Sequence, residues 1–188
     1  MKVGLFFGSF NPIHFGHLII GQYMLDQAKL DEIWYVVSPQ NPLKKGKDIM
    51  EASHRLNMVK LAIKGNEKFK ACDVEFDMPT PSYSYFTLKK LKEQNPTTEF
   101  QLILGTDNLQ HLEKWKDHEN ILMNYDILSY YRDGFTGGEF AKNQKVRMMK
   151  GPMLNISASY IRGLVRMGRS IKYLVPDEVM KYMTTKIK

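Results

Sequence analysis

The chain has 188 residues, 43% of them hydrophobic, and a formal net charge of +7. That is ample material for a packed core, which excludes disorder as the main state. No apolar run approaches the roughly 20 residues that a membrane span needs. The positive balance asks for an anionic partner, nucleotide or nucleic acid, without choosing between them.

The elements read as follows. Val3 to Phe7 is a short buried strand ending at Gly8, and a helix follows from about His14 to Ala28 with Leu18, Leu25 and Ala28 on one side. Ile33 to Val37 is a second strand, closed by the loop Ser38-Pro39-Gln40-Asn41-Pro42. Leu56, Val59 and Ile63 form a helix stripe, and Phe69 to Cys72 a third strand. Tyr85, Leu88 and Leu91 mark a helix stopped by Asn95-Pro96. Strands follow at Phe100 to Leu104, ending at Gly105, and at Ile127 to Tyr131, before the glycine-rich turn 133–138. Val146 to Met149 is a last strand, and from Ser157 onward two short helices divide near Val175-Pro176. Strands alternating with helices imply an α/β fold: a Rossmann-like, doubly wound, mostly parallel sheet with helices on both faces. The expected organisation is one domain over 1–188, with 157–188 a helical C-terminal subdomain.

One cysteine, Cys72, allows no internal disulfide and fits a reducing compartment. In a strand it reads as a small buried hydrophobe rather than a nucleophile. The opening strand is too short for a signal peptide and no small-residue cleavage site follows it. A soluble, cytoplasmic protein is the expectation.

In such a sheet, ligands gather at the carboxyl ends of the strands. The first loop there runs Gly8-Ser9-Phe10-Asn11-Pro12-Ile13-His14-Phe15-Gly16-His17. Gly8 is expected to turn the chain off the strand. His14 and His17, three apart, share a face in the first helical turn, where free N–H groups favour phosphate. Gly16 between them opens the approach for a polyphosphate. The string is neither a Walker A loop nor a dinucleotide fingerprint. His-x-x-His can also ligate zinc, but no other histidine has matching spacing and no second cysteine exists, so no protein metal site is expected. A second loop holds Asn41, Lys44 and Lys45; a third is Asn155-Ile156-Ser157-Ala158-Ser159-Tyr160-Ile161-Arg162, in which Asn155 or Ser157 caps a helix that carries Arg162.

GSFNPIHFGH resembles the first signature of the HxGH nucleotidyltransferases, and ISASYIR their second. Within that superfamily the chain is most similar to bacterial nicotinate-nucleotide adenylyltransferases. SPQNPLKK resembles their lysine-ended proline loop, and Gly105-Thr106-Asp107 with Trp115 their Gly-x-Asp and tryptophan segment. Ser82-Tyr83-Ser84 resembles their Ser-Tyr-Thr turn, and Tyr173-Leu174-Val175-Pro176 their C-terminal segment. Ser84 and Ser159 stand where threonine is usual, and Leu43-Lys44 where Pro-His is usual.

The resemblance implies AMP transfer from ATP to nicotinate mononucleotide, with Mg2+ held by phosphates and water. It assigns catalysis to His14, His17, Lys45 and Arg162. His17 meets the α-phosphate, and the other three hold the β- and γ-phosphates. The ATP site comprises Gly8, Ser9, Phe10, His14, Gly16, His17, Gly105, Asp107, Ile156, Ser157 and Arg162, with Asp107 on the ribose. The mononucleotide site comprises Ser9, Asn11, Asn41, Lys45, Ser84 and Trp115. Trp115 either stacks on the pyridine ring or packs in the core. Competing readings are a relative acting on nicotinamide mononucleotide or phosphopantetheine, and a nucleic-acid-binding domain. The last lacks an aromatic RNA-binding signature or a basic recognition helix, so neither nucleic acid nor membrane is an expected partner. A homo-oligomer is compatible with the sequence.

Overall fold

The computed structural model describes residues 1–40 and 49–186. Six parallel strands form one sheet in the order β3-β2-β1-β4-β5-β6: β1 Lys2–Gly8, β2 Glu32–Val37, β3 Phe69–Cys72, β4 Glu99–Gly105, β5 Asp126–Tyr130 and β6 Val146–Met149. Seven helices accompany it among the described residues: α1 Phe15–Gln27, α2 Ala52–Ala62, α3 Ser84–Gln94, α4 Thr106–Leu109, α5 His118–Asn124, α6 Ala158–Arg166 and α7 Asp177–Lys186. The Rossmann-like fold expected from the alternation is therefore the one observed.

Side chains alternate across a strand, so each central strand feeds two cores. Phe6 of β1, Ile33, Tyr35 and Val37 of β2, and Ile103 of β4 face one side, where they meet α1, α2, α6 and α7. Val3 and Leu5 of β1, Val36 of β2, and Phe100, Leu102 and Leu104 of β4 face the other, under α3, α4 and α5. Ile161 and Leu164 of α6 and Val179 and Met183 of α7 belong to the first core, so the C-terminal helices pack on the sheet itself. Each such buried aliphatic side chain contributes about 1.5–3 kcal/mol.

Helix ends follow local chemistry. Asn95, ahead of Pro96, leaves helical geometry and stops α3. Gly168, with φ 65°, follows α6 in the left-handed region. At the start of α1, the Phe15 N–H donates to the Leu174 carbonyl at 3.0 Å, tying the C-terminal segment to the N-terminal helix. Two helices were not anticipated. α4 is a single turn, and the seven-residue α5 buries fully only Ile121, so neither displays a periodic stripe. No described helix is long and apolar enough to cross a membrane.

The strand order reverses direction between β1 and β4. Loops leaving the two strands there diverge and open a crevice at their carboxyl ends.

Candidate active site

The β1–α1 turn forms the floor of that crevice. Its left-handed residue is Phe10, φ 45°, rather than Gly8. A Cβ on Gly8 would stand 2.8 Å from the Phe10 ring, so Gly8 makes room for that ring and the sharp turn falls two residues later. Gly16 has a similar packing reason: a Cβ there would meet His14 Nδ1 at 2.9 Å.

His14 is the extended N-cap residue of α1 and His17 lies in the first turn. Their rings stack with centroids 3.7 Å apart. The His14 backbone N–H donates to His17 Nδ1 at 3.2 Å. A neutral imidazole that accepts at Nδ1 carries its proton on Nε2, so this bond assigns His17 the tautomer with an Nε2–H donor. Phe6 and Phe10 meet the His17 ring edge-on, with centroids at 5.9 and 5.1 Å, and hold its plane. His14 is buried. Burial, and secondarily the charge of Arg132, lowers its pKa from 6.5 to about 4. It is therefore a neutral ring at pH 7.

The opposite wall comes from β4 and β5. Gly105 leads directly into α4, and a Cβ on it would collide with the Asp107 carboxylate. Asp107 faces Arg132 Nε at 3.9 Å. Arg132, just past β5, has its backbone N–H bonded to Thr106 Oγ1 at 2.8 Å, and its guanidinium lies 6.0 Å from the Tyr130 ring centre. Burial pushes the Tyr130 phenol up to about 12, with Asp107 adding to the rise and Arg132 opposing it.

α6 closes one end. Ser157 is its cap: Oγ accepts from the Tyr160 N–H at 3.2 Å, which decides between Asn155 and Ser157. Arg162 Nη1 donates to the Asn11 carbonyl at 2.8 Å and Nη2 to Ser159 Oγ at 3.3 Å. Its buried Nε has no partner. At the other end stand Ser82, Tyr83 and Ser84, where α3 begins without a side-chain cap. The buried carboxylate of Glu75 anchors them, accepting from Ser82 Oγ and, at 2.8 Å, from Thr87 Oγ1.

These parts enclose a cavity of about 480 Å³. Gly8, Ser9, Phe10, Asn11, His14 and His17 line it from the first loop. Gly105, Asp107, Ser157 and Arg162 line it from β4 and α6, and Ser84 and Trp115 from the far end. Gly16 and Ile156 border a smaller adjoining recess with both histidines. Asn41, Lys44 and Lys45 lie outside the described residues. Trp115 packs against the second core and also lines the cavity, with its Nε1–H buried and unpartnered.

The sequence reading missed Arg132, Lys114 and Lys116. With Arg162 they give the described wall four cations against the single carboxylate of Asp107. Arg132 stands at a strand's carboxyl end, which alone could have nominated it. The reading also missed Arg55. The residue is 1% exposed beneath the floor, and burial lowers its pKa. Its position four residues before Val59, on the buried stripe of α2, was the available signal.

Comparison with known proteins decides the family. Residues 5–164 match the model of the cytidylyltransferase-like family. The chain is 49% identical over 179 residues to a probable nicotinate-nucleotide adenylyltransferase of Cytophaga hutchinsonii, covering 95% of this chain and 93% of that one. It belongs to the nicotinate-nucleotide adenylyltransferase family. A further member, a probable nicotinate-nucleotide adenylyltransferase of Bacteroides thetaiotaomicron, is 39% identical over 97% of this chain and 91% of its own. A solved structure of the Plasmodium falciparum nicotinic acid mononucleotide adenylyltransferase, complexed with NaAD, shares the family fold. Its TM-score is 0.83 at 23% identity, over 97% of this chain and 94% of that chain.

Proposed function

We propose that the chain transfers AMP from ATP to nicotinate mononucleotide, giving nicotinate adenine dinucleotide and pyrophosphate. The observation that carries this reading is the stacked His14–His17 pair at the start of α1, in one cavity with Arg132 and Arg162.

The acceptor is a phosphate monoester with a second pKa of about 6, so at neutral pH it is already a nucleophilic dianion. Its oxygen bonds the α-phosphorus of ATP as the bond to the pyrophosphate oxygen breaks. No general base is required. The difficulty is bringing two polyanions together and stabilising the charge that shifts, which is work for fixed donors and cations. The His17 Nε2–H serves the α-phosphate oxygens. Neutral His14, Arg162 and the Ser157 hydroxyl hold the β- and γ-phosphates, and Asp107 takes the ribose. On the other side Trp115 stacks on the pyridine ring, and the uncapped N-terminus of α3 at Ser84 receives its carboxylate. Asn41 and Lys45 retain the roles that the family resemblance gives them.

Among the described residues no three His, Cys, Asp or Glu side chains could jointly hold a metal ion. On the family reading magnesium would enter with ATP, held by phosphate oxygens and water. When bound it neutralises polyphosphate charge. The C-terminal helices share a core with the sheet and supply Ser157 and Arg162, which supports one domain over 1–188 with a helical end from 157. An ATP substrate and a lone cysteine support a cytoplasmic setting.

The test is an assay with ATP, magnesium and a panel of phosphorylated acceptors. Nicotinate mononucleotide should exceed nicotinamide mononucleotide in kcat/KM by at least about tenfold, equivalent to about 1.4 kcal/mol. Equal turnover of the two removes the acid preference. Product with phosphopantetheine alone removes the substrate assignment.

A further inference from the structure

Arg55 makes four charge-assisted bonds, all to backbone carbonyls. Nη1 donates to the Ser9 carbonyl at 2.6 Å and to the Ser38 carbonyl at 2.7 Å. Nη2 donates to the Pro39 carbonyl at 2.8 Å, and Nε to the Met50 carbonyl at 2.9 Å. The Met50 N–H in turn donates to Asn11 Oδ1 at 3.2 Å. One side chain of α2 thus joins the loop after β1, the loop after β2 and the entry to α2 itself. Among the described residues no carboxylate pairs with it.

Three of the residues in this network, Ser9, Asn11 and Ser38, line the cavity. Its acceptors lie in the loop that leaves β1 and in the segments between β2 and α2. The wall formed by β4, β5 and α6 contains none of them. Ser9 and Asn11 belong to the expected mononucleotide site, whereas Gly105, Asp107, Ser157 and Arg162 of the expected ATP site make no bond to Arg55. We propose, resting on that reading, that Arg55 is a positioning residue for the mononucleotide half of the site, fixing the Ser9 and Ser38 turns against each other so that their inner faces fit one substrate.

The planar guanidinium matters more than its charge alone. It offers five N–H donors in a rigid fork, and four carbonyls at 2.6–2.9 Å use the directions of all three nitrogens. A lysine ammonium has three donors at one point and cannot reach the same set. Unmet buried carbonyls would then let the two turns relax. Kept close beneath the floor, the cation also favours anions in the cavity above it.

The test compares wild-type enzyme with Arg55→Lys and Arg55→Gln, each checked for folding by circular dichroism and melting temperature. The expected result is a KM for nicotinate mononucleotide raised at least about tenfold. The KM for ATP should stay within about threefold, and Arg55→Lys should rescue little of the loss. A general loss of packing would move both KM values and kcat together, and that outcome overturns the proposal. So does an unchanged mononucleotide KM in a folded variant, or failure of both variants to fold, which would make Arg55 a stability residue. Wild-type enzyme that makes no dinucleotide would instead overturn the proposed function and this inference with it.

Discussion

Replacing His14 with asparagine should make the protein less sensitive to acid. His14 has a pKa lowered from 6.5 to about 4 in the folded chain, with burial the larger cause and the charge of Arg132 the smaller. Above pH 6.5 the ring is neutral whether the chain is folded or not, and the full native advantage is present. Between 6.5 and 4 the unfolded chain takes up a proton that the native site refuses, so stability is lost as the pH falls toward the folded pKa. Integrating that difference from pH 7 to pH 4.5 gives about 2.5 kcal/mol. Carboxylates titrate in the same window, so the quantity to measure is the difference between two proteins. Urea unfolding of wild type and His14→Asn at pH 7.0, 6.0, 5.0 and 4.5 supplies it. The substitution will cost stability at pH 7, because the ring stacks on His17 and fills the space above Gly16. That cost should shrink with each step down in pH, by about 2.5 kcal/mol overall. A constant difference across the series would show that His14 titrates normally and would refute the argument from burial.

Three further substitutions test the site. His17→Ala removes an oriented donor and should lower kcat by about a hundred- to a thousandfold while calorimetry shows ATP binding little changed; a folded variant within about threefold of wild type would remove its transition-state role. Trp115→Ala should raise KM for the mononucleotide about 2- to 12-fold, from roughly 0.5–1.5 kcal/mol of aromatic contact, and leave KM for ATP nearly unchanged. A large drop in melting temperature with no selective KM change would mark Trp115 as a core residue only. Arg162→Lys loses the fork that reaches both Asn11 and Ser159, and kcat/KM should fall about tenfold or more. Near-normal activity would make Arg162 incidental.

The sheet was legible because its central strands are short apolar runs rich in β-branched and aromatic residues that end at glycine or a polar turn. β3 at Phe69–Cys72 and β6 at Val146–Met149 fall where the sequence places them. The histidine pair was legible as a motif, but His14 is the extended N-cap of α1 rather than a residue of its first turn, and the two rings meet by stacking. Other features depend on what fills a space, and a linear pattern does not record that. Gly8 and Gly16 looked like openings for chain or ligand, yet the rings of Phe10 and His14 occupy the room. Arg55 and Glu75 gave no signal of their site role because their partners are carbonyls and hydroxyls distant in sequence. Trp115 was ambiguous for a physical reason: its ring faces both the core and the cavity.

The bond from Arg162 to the Asn11 carbonyl joins residues 151 positions apart, and the bond from Phe15 to Leu174 spans a similar stretch. Together they pin the histidine-bearing turn from residues that are synthesised long after it. A nascent polypeptide can present all six strands while still on the ribosome, yet the turn, already tied to Met50 and Arg55, lacks these two further braces until residues 162 and 174 have emerged. Nonsense fragments ending near residue 150 should accordingly retain strand order but hold no nucleotide, and a nick between β6 and α6 should silence the enzyme before it unfolds it.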